Sequence, residues 1–105
     1  MEQSIRNPME VFTEEAPAAA AAFNGLIQAV SQGDGLDGRT RQLIYIAMKA
    51  AQGDTGAVVA HAGMARKAGA SRADLRDAIL MTLTVSGMRG VVTCLGAALS
   101  AWEAA

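Results

Sequence analysis

The chain has 105 residues, enough for one domain, and nine basic against ten acidic side chains leave a formal net charge of −1 and a pI near 5.7. With no basic run longer than Arg66-Lys67, it carries no electrostatic footprint for nucleic acid or an anionic membrane. Its single cysteine, Cys94, excludes an intrachain disulfide and a thiolate zinc site, and a reducing, cytoplasmic setting is the expectation. Hydrophobic residues make up 51% of the chain but aromatics only 4%, so alanine supplies much of the apolar count. Alanine favours helix but buries little area, at about 25 cal/mol per Å2. A chain this small gains more core by burying apolar faces between subunits, so a homo-oligomer is expected.

The punctuation is helical throughout, with no alternating strand pattern. Asn7-Pro8-Met9-Glu10 combines an N-cap, a proline at the first helical position and a glutamate at the third, and predicts a short helix ending near Glu15. Pro17 opens a second helix, in which Phe23, Leu26, Ile27 and Val30 recur at three- and four-residue spacing. Gly33-Asp34-Gly35 ends it. Asp37 caps a third helix that runs to Gln52, with Leu43, Ile44, Ile46, Ala47, Ala50 and Ala51 as its apolar set, and Gly53 supplies the left-handed residue at its end.

Asp54 or Thr55 then caps a fourth helix, which runs to Lys67 or Ala68 and is closed by Gly69. Ser71-Arg72-Ala73-Asp74 is a capping box, predicting a fifth helix that carries Leu75, Ile79, Leu80, Leu83 and Val85. A turn over 87–90 precedes a C-terminal helix through Trp102. From Ala78 to Trp102 the only charge is Arg89, but that turn splits the stretch into halves too short to span a bilayer of about 30 Å. Two buried helices, not a membrane span, are expected. The N-terminus, with Glu2 and no apolar stretch, is not expected to be a signal peptide. The fold class is all-α: a single-domain bundle of about six helices over residues 1–105.

Few residues carry chemistry. Cys94 sits in Val91-Val92-Thr93-Cys94-Leu95-Gly96 with no adjacent cation, and buried apolar thiols are inert. Met48, Met64, Met81 and Met88 fall at helix-core spacings and read as core fill. His61 is the only histidine, so no histidine-based metal site is expected within one chain, and no cofactor. Taken alone, a helical histidine among alanines is a hydrogen-bonded structural residue. Gln42 reads as a polar residue in the first turns of a helix, Tyr45 as packing, and Arg89 as a solvated turn residue.

The run Leu36-Asp37-Gly38-Arg39-Thr40-Arg41-Gln42-Leu43-Ile44, the helix bearing His61, the Ala65–Leu75 segment with Gly69-Ala70-Ser71, and Val85-Ser86-Gly87 together resemble the carboxymuconolactone decarboxylase / alkyl hydroperoxidase D family over about residues 8–103. Redox members of that family carry Glu-x11-Cys-x2-Cys-x3-His. Here the glutamate position is Gln42 and the cysteine positions are Asp54 and Ala57, and only His61 remains. The dithiol mechanism needs a thiolate at a helix N-terminus, which Asp54 cannot supply. A peroxiredoxin-like oxidoreductase is therefore implied by family analogy alone.

The resemblance to the decarboxylase branch implies a small-molecule lyase acting on a carboxylated lactone or keto acid. His61 would be its acid or hydrogen-bond donor, and Gln42 would orient the ring or bind a substrate carbonyl. Arg89 is then a candidate carboxylate anchor, and Tyr45 a candidate lining residue. It also implies trimers or hexamers, with the His61 cleft near a subunit interface. The alternative is a non-catalytic oligomeric binding or scaffold protein that kept the fold after losing the thiols.

Overall fold

The computed structural model describes residues 6–105, which form helices and no strand. Their contacts fall into two compact units, one reaching to Gly35 and one from Leu36 to Ala105.

The first unit is a helix pair. The Asn7 side chain accepts the Met9 amide at 2.8 Å, and Pro8 takes the first position of α1 (Pro8–Glu15). An Arg6–Glu14 ion pair lies along this helix. Ala16 breaks the chain, and Pro17 starts α2 (Pro17–Ser31), with the Phe12 and Phe23 rings edge-on at 6.0 Å. Helix α2 contains no charged residue, yet Ala20 is its one buried side chain and Leu26 and Val30 are 57% and 64% exposed. Asn24, Gln28 and Ser31 share one face of α2 and the remainder is apolar, so α2 presents a face that water does not favour.

The second unit holds the hydrophobic core. Asp37 caps α3 (Gly38–Ala51), accepting the Thr40 amide at 2.7 Å. That bond, with the Thr40 hydroxyl and nearby arginines, holds the Asp37 carboxyl below the ordinary aspartate range. Helix α3 ends at Gly53 in the left-handed region, φ 73°. The Gly53 amide reaches the Ala50 carbonyl at 2.9 Å and the Asp54 amide reaches the Lys49 carbonyl at 3.0 Å, the two bonds of a Schellman ending. Asp54 immediately caps α4 (Thr55–Lys67) through the Ala57 amide, so one residue closes a helix and opens the next.

The Schellman ending recurs at Gly69, φ 101°, where the Ala70 amide reaches the Ala65 carbonyl at 2.9 Å, before α5 (Arg72–Met81), whose Ser71/Asp74 capping box is complete in both directions at 2.9 Å. Arg39 at the start of α3 bonds Asp74 at 2.9 Å. Ile46 and Ala50 of α3, Val58, Ala62 and Ala65 of α4, Leu75 and Ile79 of α5, Cys94 and Ala98 are fully buried together. Five of these nine are alanine or cysteine, so the helices meet closely.

Two boundaries differ from the sequence expectation. The fifth helix does not continue to Val85. Buried Thr82 turns its hydroxyl onto the Ile79 carbonyl at 2.6 Å, ending α5 at Met81, and α6 (Leu83–Ser86) restarts from it. The C-terminal helix begins with a wide π-helical turn, Val91–Leu95, before α7 (Gly96–Ala104). There the Thr55 hydroxyl donates to the Thr93 carbonyl at 2.9 Å and the Thr93 hydroxyl to the Arg89 carbonyl at 2.6 Å, supplying partners where the regular ladder is interrupted.

The methionine expectation also fails. Met48, Met64, Met81 and Met88 are 49–64% exposed, because the small side chains fill the core without them. Nor are Val85 and Val92 buried, at 82% and 74% exposure. No helix among the described residues is long and apolar enough to cross a membrane.

Of the glycines described in this unit, Gly90 leaves the least room for a side chain. A Cβ there would lie 2.8 Å from the Thr82 hydroxyl and 2.9 Å from the Ala50 carbonyl oxygen, whereas one at Gly25 of α2 would meet nothing within 4 Å. Gly90→Ala is expected to cost about 1–3 kcal/mol through overpacking, while Gly25→Ala gains about 0.5–1 kcal/mol of helix propensity. Urea unfolding of the two variants beside the parent measures both.

Candidate functional site

The Gly53 turn sets which residues of α3 and α4 stand level. Tyr45 lies eight residues before it and His61 eight after, so each is about 12 Å along its helix. The two rings stack with centroids 4.1 Å apart and planes inclined by 33°. One turn further along α3, the Gln42 carboxamide oxygen lies 2.9 Å from His61 Nδ1. Lys49, one turn nearer the Gly53 turn, holds Nζ 5.8 Å from the Tyr45 ring centre and 3.6 Å from an Asp54 carboxylate oxygen. Positions 42, 45 and 49 recur at three- and four-residue spacing and share a helix face. The half-buried cluster Gln42–Tyr45–His61, edged by the Lys49–Asp54 pair, is the candidate site.

Its electrostatics follow from two observations. Burial lowers the His61 pKa below its ordinary value, and the positive charge of Lys49 lowers it further, so the imidazole is neutral at neutral pH. A carbonyl oxygen can only accept. With the Gln42 oxygen facing Nδ1, the contact is a hydrogen bond in the tautomer that carries its proton on Nδ1, and Nε2 then carries a lone pair. In that tautomer Nε2 is an acceptor. In this tautomer Gln42 orients the ring.

Arg89 is not brought to this cluster. Its guanidinium donates to the Gln52 carbonyl at 3.3 Å, and its side chain covers Gly53. This is the C-terminal end of α3, ten residues or about 15 Å along the helix from Gln42. There it answers the unpaired carbonyls and negative dipole end of the helix. Its position in a glycine turn gave no sign of that partner.

Cys94 is fully buried, with Sγ 3.3 Å from the Thr93 hydroxyl and 3.7 Å from that of Thr55. Asp54 and Ala57, where redox relatives carry cysteines, serve as the cap of α4 and the amide it binds. Among the described residues no group of three or more His, Cys, Asp or Glu side chains is placed to hold a metal ion. Lys49 was not singled out from the sequence. Its spacing from Gln42 and Tyr45 was the available signal.

Around α3, open apolar hollows are lined by other residues. One, about 520 Å3, lies over Leu43, Ala78, Leu80 and Met81, and others run past Ile44, Ala47, Met48 and Val85. His61 lines none of these.

A sequence profile of the Carboxymuconolactone decarboxylase family matches residues 17–100. The chain is similar to the crystal structure of the apo form of a carboxymuconolactone decarboxylase family protein from Legionella pneumophila. The TM-score is 0.80 at 27% identity, covering 91% of this chain and 85% of that one. No curated protein matches the chain.

The lowered His61 pKa carries a stability consequence. As pH falls through about 6.5, the unfolded chain takes up this proton before the folded one does. The neutral-ring contribution is therefore complete above that pH and is lost as pH falls toward the folded value. Melting temperatures measured from pH 7.5 to 5 are expected to fall less steeply in His61→Asn than in the parent. Equal slopes would show that the ring titrates alike in both states.

Proposed function

Because the chain belongs to the carboxymuconolactone decarboxylase family, we propose that it is a small-molecule lyase acting on a carboxylated lactone or keto acid, with His61 as the proton-transfer group. The observation that carries this reading is the 2.9 Å contact between His61 Nδ1 and Gln42 Oε1. It leaves Nε2 free to take a proton from the carbon beside a carbonyl. The C–H electron pair then moves onto the carbonyl oxygen as an enolate, and its return re-forms the carbonyl as a bond from the β carbon to a leaving group breaks, which is the lyase cleavage. The resulting imidazolium keeps its Nδ1–H bond to Gln42 and presents the captured proton at Nε2. The donor role thus follows the base role instead of preceding it. A carboxamide at position 42 supports a weaker base than a carboxylate would, so the imidazolium returns its proton readily.

Self-association is part of the same proposal, as trimers or hexamers. It is supported by exposed apolar residues on both units, Leu26, Ile27 and Val30 on α2 and Met48, Met81 and Val85 on the other. Isolated exposed apolar residues are ordinary, but patches of them mark interaction surfaces. These faces also favour a second reading, a non-catalytic oligomeric binding protein.

His61→Ala separates the two readings. The lyase reading expects turnover of a carboxylated lactone to fall at least about 100-fold with the helical circular dichroism intact. If no turnover is found in the parent and the variant only changes the assembly, the binding reading replaces it. Gln42→Glu should raise the His61 pKa by about one unit or more and move the acid limb of the pH–rate profile upward by the same amount. Sedimentation equilibrium of the parent is expected to give three or six times the chain mass of 10.8 kDa, and a monomer at all concentrations would contradict the assembly.

A further inference from the structure

Every residue from Ala21 to Gly35 is exposed, Phe23, Leu26, Ile27 and Val30 among them. Ala20 is the one buried side chain among the described residues of the first unit. A 15-residue helix in that condition is marginal in water, and a unit ending at Gly35 is below the roughly 40 residues that stand alone. Something must cover α2. On the second unit the hollows between α3 and α5–α6 are open as well. Two of them share Ala47, Met48 and Met81 and run past Thr40, Ile44, Ala47 and Ala51, about 16 Å along α3. We propose that this groove holds α2 of a second copy of the chain. The proposal rests on the self-association reading and names the contact that carries it.

Charge selects the occupant. Neither hollow is lined by a charged residue, so a charged side chain pressed into them would lose its water without gaining a partner. Among the described helices of eight or more residues, α2 alone carries no charge. Charges resume only at Glu15 before it and Asp34 after it. Glu10, Glu14 and Glu15 bar α1 from the same place.

Shape agrees. Ala47, Ala51 and Ala78 keep the groove open to a close helix backbone, and Met48 and Met81 are flexible enough to fit around it. Phe23, Ile27 and Val30 recur at four- and three-residue spacing, the anchor pattern of a helix lying in a groove. They extend about 10 Å, within the length of the groove.

The area is sufficient. The chain exposes 6921 Å2, where about 5,500 Å2 is ordinary for a monomer of its mass. The excess, about 1,400 Å2, is more than the roughly 800 Å2 each partner gives to a standard interface. Both surfaces are exposed in the single chain, so a second copy supplies the cover. Each copy has one helix to give and one groove to fill, and a closed assembly satisfies every one of them.

Bismaleimide cross-linking of Ile27→Cys/Met48→Cys reads the contact. Both positions are exposed and Cys94 is fully buried, so the introduced thiols are the ones that react. Denaturing gels are expected to show a ladder at multiples of 10.8 kDa. Ile27→Cys/Met64→Cys, whose second site is on α4, should give a far weaker one. In a second test, Ile27→Lys and Met48→Glu should each shift the sedimenting mass to that of the single chain with helical circular dichroism intact. Combined in one chain, the two charges pair and assembly returns.

Both thiols consumed without a ladder would place α2 in its own groove and overturn the second copy. A ladder as strong from Ile27→Cys alone would show α2 packing on α2 and overturn the groove. Assembly untouched by Ile27→Lys or Met48→Glu, or not recovered when they are combined, would do the same and leave self-association standing. A parent that sediments as a monomer at all concentrations removes the groove contact and self-association together.

Discussion

The tight turn between α3 and α4 is the constraint on which the rest of the second unit depends. Gly53 adopts a φ of 73° that side-chain-bearing residues rarely take, and Asp54 closes one helix with its amide while capping the next with its carboxylate. Nothing longer intervenes, so the helices leave the turn in fixed register. Residues equidistant from Gly53 then stand opposite one another, which is how Tyr45 and His61 come to stack. Ile46, Ala50, Val58 and Ala62, fully buried, allow that register to be held at close approach. The core and the candidate site are thus products of one geometric decision. Below them the π-helical turn receives the Thr55 hydroxyl from the first residue of α4, tying the C-terminal helix to the same corner.

The chemistry of the site follows from replacing charge by neutral polarity. A carboxylate at position 42 would stabilise an imidazolium, but Gln42 offers only a carbonyl dipole, and burial and Lys49 both work against protonation. The result is a ring that favours its neutral form, with Nδ1 facing the Gln42 oxygen. Where redox relatives carry cysteines, Asp54 contributes a cap and an ion pair, so positions used elsewhere for thiol chemistry here hold a helix start and position a lysine. The fold is retained while the reacting groups differ.

What could be read from the sequence follows the range of the interactions. The caps at Asn7, Asp37, Asp54 and Ser71 and the glycine endings at Gly53 and Gly69 are satisfied within a few residues, and the expected boundaries there agree with the structure to within a residue or two. The all-α class follows from them, and it is the fold class of the family to which the chain belongs. Thr82 ends α5 through a hydroxyl bond that any helical threonine is able to make or decline, so local sequence did not reveal it. The π-helical turn depends on Thr55, 38 residues away from its partner. Arg89 finds the Gln52 carbonyl 37 residues away, where spacing is silent. Met48 and Met81 look like core by period, yet alanine packing closes the core without them. Periodicity identifies a helix face but not what covers it. For the site, Gln42, Tyr45 and His61 were legible as candidates, and their meeting required the register set by Gly53.

The account turns on the protonation state of one ring. A 15N-resolved NMR spectrum of the single imidazole, recorded from pH 5 to 8, tests it most directly. The expected result is a neutral ring at pH 7 with the proton on Nδ1 and a lone pair on Nε2, and a titration midpoint below about 6.5. A proton resident on Nε2, or a midpoint above that of an exposed histidine, would contradict the account and make His61 a donor from the outset.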